Sequence, residues 1–186
     1  MMWNLPIAVE IGGKQFAIRN ECDYRVVLDV IEALNDKELP MENRVHCALF
    51  IFYEDLKGCT DTHTAAQEMM KIVNLGEDCE EEKEETQKPK LMDWGQDFQQ
   101  LAPPISRVLG YSVRSAKQYT HWWDFVGAYM EIGECTFATI VSIRSKRMKG
   151  KPLEKWEQDF YKENKKLIDL KQNLTEEEKE WLDSDW

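Results

Sequence analysis

SAKQYTHWWDFVGAYMEIGECTFATIVSIRSKRMKG, residues 115–150, is the stretch that decides the predicted fold. Its apolar residues recur at helical spacing, and Gly133 divides them as a glycine just past a helix end does. The stretch therefore predicts two consecutive helices, with Ser115 capping the first and Thr136 capping the second. Because both helices carry wide apolar stripes, we expect other helices or a partner to cover them.

Six aromatic residues are the predicted partner contacts. They are Trp122, Trp123, Tyr129 and Phe137 around the helix corner, and Trp181 and Trp186 near the C-terminus. Large aromatic side chains dominate the energetics of cores as well as of interfaces, and for the helix-corner residues the pattern favours a core role over a partner contact. The two terminal tryptophans lie on an acidic tail, where they either fold back onto the bundle or mark a docking segment.

The second predicted helix ends in a basic run. Residues 144–151 include five basic side chains and no acidic one. Such cations complement the carbonyl end of a helix, which Gly150 then ends. The run is suited to a phosphate, to an acidic helix or to an acidic segment of this chain, and we expect that segment or plain solvation.

Composition limits the classes of function. A net charge of −11 on 186 residues argues against nonspecific DNA binding, which requires Lys and Arg to neutralise phosphates. The charge favours solubility and a partner with a basic face. The N-terminus lacks the charged-then-apolar pattern of a leader, and no apolar run is long enough to span a bilayer, so we predict no membrane partner. Five scattered cysteines without a CxxC pair indicate reduced thiols in a cytoplasm.

Residues 7–18, IAVEIGGKQFAI, predict a β-hairpin that turns on Gly12 and Gly13. Glycine readily adopts the positive φ that a two-residue hairpin loop requires at both positions. This turn makes Val9 face Phe16, and it collects the apolar side chains on one side of the hairpin. An isolated hairpin is marginal in water, so we expect helices to cover it.

Periodicity predicts further helices along the chain. Their approximate spans are 24–35 behind an Asp23 cap, 42–54, 64–75, 152–170 and a short last helix that begins at a Thr175 cap. Residues 91–109 also follow a helical stripe, but Pro103 and Pro104 lack amide donors and predict a break into two short helices. The predicted fold class is therefore mainly α, a bundle of about seven to eight helices with an N-terminal β-hairpin.

An acidic segment divides the predicted helices into two regions. Residues 77–90, EDCEEEKEETQKPK, hold seven acids and almost nothing that packs, so we expect like-charge repulsion to keep them extended. We predict a hairpin with three helices over residues 1–76. A C-terminal helical region over residues 91–186 is expected to share a core with it.

Reactive side chains occur in two groups that resemble chemical sites. The first consists of His46, Cys47, Cys59 and His63. Two adjacent ligands plus a C-x3-H pair are not a recurrent zinc spacing, so we predict no metal. The second pairs His121 with Cys135, near Asp124, but nothing in the local sequence supplies an oxyanion site. The sequence thus predicts no catalytic residue, no cofactor and no enzyme activity.

Several segments resemble the bacteriophage family named after gene product fifteen, which occurs in long-tailed phages and prophages of Gram-positive bacteria. The similar segments are LMDWGQDF, RVLGYSVR and HWWDFVGAYMEIGECTFATIVSIRSKRMKGKPLEKWEQDFYKENKKLIDLK, with DVIEALND and LFIFYED nearer the start. The resemblance covers nearly the whole chain and is densest over residues 91–171, where the Trp-Trp pair and the Cys-Thr-Phe corner recur in order.

The resemblance implies a non-enzymatic tail assembly chaperone, encoded just upstream of the tape measure protein. Such a chaperone coats the amphipathic tape measure helices before tail tube subunits polymerise around them. The implied partner is the tape measure protein, and we expect the tail tube protein and a second copy of this chain as further partners. The expected location is the cytoplasm of the bacterial host rather than the mature virion.

Two other classes of function stay open at this point. A structural tail or connector component of the virion would be found in purified particles, where a chaperone is absent or scarce. An enzyme or a host-takeover factor would be indicated by an unusually reactive thiolate at Cys135.

Overall fold

A computed structural model describes residues 4–77 and 90–170 of the chain. Those residues form two compact units. The first consists of residues 4–77 and Tyr119–Val126, and the second consists of residues 90–118 and 127–170. The segment Tyr119–Val126, which the sequence grouped with the C-terminal region, thus belongs to the first unit. The predicted division at residues 77–90, with a core shared by both sides, stays a prediction.

The predicted N-terminal hairpin is confirmed. It consists of β1 (Ala8–Ile11) and β2 (Lys14–Ala17) in antiparallel register. Val9 pairs with Phe16, as the turn requires. Gly12 and Gly13 have φ angles of 58° and 77°, which glycine adopts without steric cost. The side chains of Val9, Ile11 and Phe16 are buried, so one face of the hairpin lies on the core of the first unit.

Three helices follow the hairpin: α1 (Tyr24–Asn35), α2 (Met41–Phe52) and α3 (Thr62–Val73). They confirm the predicted helices of this region, with ends displaced by a few residues at most. The Asp23 carboxylate begins α1 by accepting a hydrogen bond from the Arg25 amide at 3.0 Å. Helix α1 packs along α2, and the side chains of Val27 and Phe52 are fully buried there.

The second unit is built from helices. They are α4 (Trp94–Leu109), the end of α5 (Trp122–Met130), α6 (Thr136–Met148), α7 (Lys155–Glu163) and α8 (Lys165–Ile168). Ile140, Ile143 and Ile168 form a fully buried cluster, and Leu153 and Phe160 pack against it. The fold class is confirmed, because the described residues contain eight α-helices and an N-terminal hairpin. None of the helices in that part of the chain is long and apolar enough to cross a membrane.

Pro103 and Pro104 do not break α4, so the predicted break is wrong. The helix runs through both prolines from Trp94–Leu109 without interruption. Pro103 lacks the amide that would bond the Gln99 carbonyl four residues earlier. The Arg114 guanidinium donates to this carbonyl at 3.4 Å and to the side-chain oxygen of Gln99 at 2.5 Å. Burial of one face of α4, which includes Pro104, offsets the remaining local cost.

Residues 115–121 are not helical, so the predicted start of the first helix at a Ser115 cap is wrong. Helix α5 begins at Trp122 instead. The Tyr24 amide donates to the Thr120 carbonyl at 2.9 Å, which pairs this stretch with a distant part of the chain. Backbone groups that are used in this pairing are not available for helical hydrogen bonds.

Two further helix limits differ from the prediction. Thr136 is the first residue of α6, and its N-cap is Cys135, whose side chain makes no capping hydrogen bond. The helix predicted over residues 152–170 is divided at Asn164, whose φ of −118° separates α7 from α8. The carbonyls at the end of α8 accept hydrogen bonds from Arg144 instead of continuing a helix. The last predicted helix lies outside the described residues.

Candidate interaction surface

The aromatic segment, Tyr119–Val126, is held against the end of α3 by its two indoles. The Trp122 Nε1–H donates to the Val73 carbonyl at 2.9 Å. The Trp123 Nε1–H donates to the Ile72 carbonyl, also at 2.9 Å. The last carbonyls of a helix have no amide partner within that helix. The Trp122 indole therefore supplies a donor to a carbonyl that α3 leaves open. The Trp123 indole adds a second donor to the Ile72 carbonyl, which also accepts from the Leu75 amide at 3.2 Å. Both bonds hold the aromatic segment to the end of α3.

Gly76 makes room for one of these indoles. Its φ is 91°, in the left-handed region that glycine adopts freely. A Cβ at this position would lie only 3.3 Å from Cη2 of Trp123. Glycine at this position is thus favoured both by its backbone angle and by the ring beside it.

Phe125 of the aromatic segment stacks face to face on Tyr24 of α1. Their ring centroids are 4.2 Å apart, and the ring planes differ by 3°. Trp122 stacks on Phe125 with a centroid separation of 6.0 Å. Trp122 is only 3% exposed and Phe125 is fully buried. Trp122, which the sequence selected as a partner contact, is therefore a core residue in this conformation, although its predicted role stays a prediction.

The start of the aromatic segment is bound through hydrogen bonds to α1 and to the turn before it. The Tyr119 hydroxyl donates to the Glu21 carbonyl at 2.8 Å. The Thr120 amide donates to the Asp23 carboxylate at 3.2 Å, the same carboxylate that caps α1. Burial raises the pKa of Tyr119 to about 12, and nearby Cys22 and acidic groups add to the shift. The phenol is therefore protonated at neutral pH and serves as a donor.

His121 is completely buried in the first unit and immediately precedes α5. Its Nδ1 accepts a hydrogen bond from the Trp123 amide at 3.0 Å, so the imidazole caps the helix. Its Nε2 lies 3.1 Å from the Pro6 carbonyl, to which it donates if Nδ1 is the acceptor. Burial lowers the pKa of His121, which keeps the ring neutral. Both ring nitrogens are thus engaged with backbone groups, and neither is oriented for base catalysis.

The second unit has its own aromatic cluster. Tyr129 lies between Trp94 and Phe137, with ring centroids 5.2 Å and 6.2 Å away. Phe137 is buried, whereas Tyr129 is half-buried. Burial raises the pKa of Tyr129, and the nearby Asp97 carboxylate adds to this effect. The predicted contacts Tyr129 and Phe137 therefore join α4, α5 and α6 of the second unit.

Arg144 and Asp97 form a buried ion pair that the sequence did not reveal. The guanidinium donates to both carboxylate oxygens, at 2.7 Å and 2.8 Å. It also donates to the carbonyls of Leu91, Leu167 and Ile168, so the charge is surrounded by acceptors. The sequence does contain a sign of this pair, because Asp97 is a charged residue on the apolar stripe of α4, where a buried carboxylate needs a partner.

Other members of the basic run also pair with acids of the second unit. Lys146 Nζ lies 2.6 Å from the Glu157 carboxylate, and Arg147 binds the Asp169 carboxylate. The expectation that this run meets the acidic segment or is simply solvated is therefore wrong for Arg144, Lys146 and Arg147. These residues connect α6 with α4, α7 and the end of α8.

Several large apolar side chains are exposed on helices of the two units. On α2, Met41 and Phe50 are 67% and 79% exposed, and on the helices of the second unit Met130 and Trp156 are 66% and 55% exposed. None of these four residues is among the contacts predicted from the sequence. Exposed methionine and aromatic side chains are the adaptable apolar groups that protein-binding surfaces use.

Three predicted contacts and one buried cysteine complete the picture of the candidate residues. The half-buried Trp123 is bound to α3, and Trp181 and Trp186 lie outside the described residues. Burial raises the pKa of the Cys22 thiol to about 12, so this cysteine is a packing residue. Within residues 4–77 and 90–170, no three His, Cys, Asp or Glu side chains converge as metal ligands would.

This mainly helical chain is similar to a known family of bacteriophage proteins. The family model described as Bacteriophage Gp15 protein matches residues 1–170. Because the match covers most of the 186 residues, the chain belongs to this bacteriophage family. It is accordingly a structural or assembly-related protein of a phage. No curated protein and no solved structure matches the chain.

Proposed function

We propose that this protein is a non-enzymatic tail assembly chaperone that binds the tape measure protein before the tail tube polymerises. The observation that carries the proposal is the family match over residues 1–170, which makes the chain a phage structural or assembly-related protein. The resemblance found in the sequence supplies the finer role, that of coating the tape measure protein. The chaperone acts without a cofactor in the bacterial host cytoplasm and is absent from the mature virion.

The physical properties of the chain support this role. A free tape measure protein exposes long apolar helical stripes, which aggregate in water. Exposed apolar side chains, such as Phe50 in the first unit and Trp156 in the second, each offer an apolar contact for such a stripe. The net charge of −11 keeps coated complexes apart from one another. Several copies of this chain bind along the length of one tape measure protein. Their release requires only that tail tube protein compete for the tape measure protein.

Co-expression with the tape measure protein encoded next to this chain tests the proposal. We expect the tape measure protein to become soluble and to co-purify with the chain. The variant Phe50→Ala should reduce co-purification severalfold without lowering the melting temperature, because the side chain is exposed. Asn43→Ala is the matched control, since Asn43 is exposed on the same outward side of α2. A tape measure protein that stays insoluble at every expression ratio contradicts the proposal.

The family match also favours a second candidate, a structural tail or connector component of the virion. Mass spectrometry of purified particles separates the two functions. A chaperone is absent or far below one copy per tail, whereas a structural component is present in a fixed ratio to the tail tube protein.

A further inference from the structure

The turn between β2 and α1 has a strained backbone. Asn20, Glu21 and Cys22 have φ angles of 49°, 53° and 65°, so three consecutive residues are left-handed and none of them is glycine. Residues with a Cβ disfavour this region, and such a run persists only where surrounding contacts hold it. Strain of this kind is concentrated at sites that bind ligands or change conformation.

The aromatic segment supplies contacts that hold this turn. The Tyr119 hydroxyl donates to the carbonyl of Glu21, the central strained residue, at 2.8 Å. Asp23 and Tyr24, which follow the turn, both bond to Thr120. The Tyr24 amide donates to the Thr120 carbonyl, and the Thr120 amide donates to the Asp23 carboxylate. The strained turn and the start of the aromatic segment are therefore bound to each other at successive positions. Loss of one set of contacts weakens the other.

The aromatic segment also covers apolar surface of the first unit. It brings Phe125 onto the Tyr24 ring and Trp122 onto Phe125. The segment thus fills this surface with a short non-helical stretch that leads into a helical turn with aromatic side chains three positions apart. The acidic groups of Glu21 and Asp23 lie within electrostatic reach of Tyr119 and do not belong to the aromatic segment, so they favour basic residues beside the aromatic anchors of a ligand.

We propose that the aromatic segment is a releasable cover, which the strained turn biases toward opening, and that an amphipathic helical segment of the tape measure protein takes its place. The identity of this occupant rests on the proposed function, whereas the opening of the aromatic segment does not. The occupant inserts aromatic anchors over Tyr24, and its indole or amide donors replace those that Trp122 and Trp123 give to the end of α3. In the free protein the cover keeps this apolar surface away from water.

Two substitutions shift the opening in opposite directions. Tyr119→Phe removes the hydrogen bond to Glu21 and should raise the population of the open form about fivefold. Glu21→Gly removes the steric cost of the left-handed angle in the closed form and should lower that population roughly threefold. Glu21→Ala is the matched control, because it removes the same side chain but keeps the disfavoured backbone angle.

Hydrogen exchange of the full chain under native conditions measures the opening directly. We expect the amides of Tyr119–Val126 to exchange faster than those of α1, through an opening that leaves α1 intact. Tyr119→Phe should accelerate this exchange relative to wild type. Glu21→Gly should slow it relative to Glu21→Ala. If the amides of the segment exchange together with those of α1 in all four proteins, the proposed cover does not exist.

Binding to immobilised tape measure fragments tests the occupant. We expect the affinity to follow the open population, highest for Tyr119→Phe and lowest for Glu21→Gly. If the variants differ in exchange rate but bind the fragments with equal affinity, docking at this surface is overturned. The opening of the aromatic segment then still stands. If wild type binds no tape measure fragment, both the proposed function and the docking step are overturned. The exchange rates then decide by themselves whether the aromatic segment opens.

Discussion

The Arg144 guanidinium lies 2.7 Å from the Asp97 carboxylate, and the two side chains are 4% and 0% exposed. The pair joins the first turn of α4 to α6, and Arg144 also binds carbonyls at the end of α8. A buried charge is tolerated only where its partners are complete, as they are here. The ion pair therefore specifies one arrangement of the helices of the second unit.

Loss of either partner of this pair should strongly destabilise the second unit. We expect Asp97→Ala to lower its free energy of unfolding by about 3–5 kcal/mol, because Arg144 is left buried without its counter-charge. The double variant Asp97→Leu/Arg144→Met should recover a large part of that loss. Urea unfolding checks both. Lys162→Met, which removes an exposed pair with Asp159, should cost less than about 1 kcal/mol and serves as the control. Similar costs for the two pairs would refute the structural role of Arg144.

Acid should weaken the first unit through His121. Burial lowers the pKa of His121 in the folded chain below its ordinary value of 6.5. The unfolded chain then binds the proton more readily, so stability that is present above about pH 6.5 is lost as the pH falls below it. His121→Asn keeps an acceptor for the Trp123 amide but does not titrate. The stability of wild type relative to this variant should therefore decrease from about pH 7.5 to about pH 5.5.

Unfolding free energies at several pH values check the prediction about His121. His46→Asn is the control, because His46 is exposed on α2. A difference between wild type and His121→Asn that is constant with pH would show that His121 is not held neutral by burial.

Gly76→Ala should destabilise the chain more than an alanine at another left-handed glycine of the same unit. Gly58 has a φ of 78°, and the nearest atom to its added Cβ is the flexible end of Lys14 at 3.7 Å. We expect about 1–2 kcal/mol for the backbone angle in each variant and a further cost at Gly76 from the ring of Trp123. Thermal unfolding and tryptophan fluorescence measure the difference. Equal losses would mean that the ring moves aside freely.

Arg114 should contribute more to stability because Pro103 is a proline. Arg114→Ala leaves the Gln99 carbonyl without the guanidinium, and we expect a cost of about 1 kcal/mol. In a Pro103→Ala background the new amide can bond this carbonyl, so the cost of Arg114→Ala should be smaller. A double-mutant cycle in urea gives the coupling. Identical costs in both backgrounds would assign the effect of Arg114 to its other contacts.

Local signals were sufficient to predict the first helices and the hairpin. Gly12 and Gly13 permit one turn, and the alternation around them permits one register. Asp23 caps α1 because its carboxylate accepts a hydrogen bond from the amide two residues later. In each case the residues that determine the structure are close in sequence, so their pattern carries the information.

The errors arose where distant residues decide the local structure. Ser115 is a good helix cap, but Thr120 pairs with Tyr24 and prevents the helix from starting until Trp122. Pro103 usually breaks a helix, but Arg114 replaces its missing donor. The same limit applies to the candidate surface, since the burial of Trp122 depends on contacts with the end of α3 that no local pattern shows.

Dilution of purified tape measure protein from denaturant, with and without this chain, tests the central claim most directly. If the chain is a tape measure chaperone, a stoichiometric amount should hold the tape measure protein in the supernatant after centrifugation, in a complex that contains both. An equally acidic unrelated protein should not. Pelleting of the tape measure protein at every ratio, with this chain left free in solution, would contradict the account.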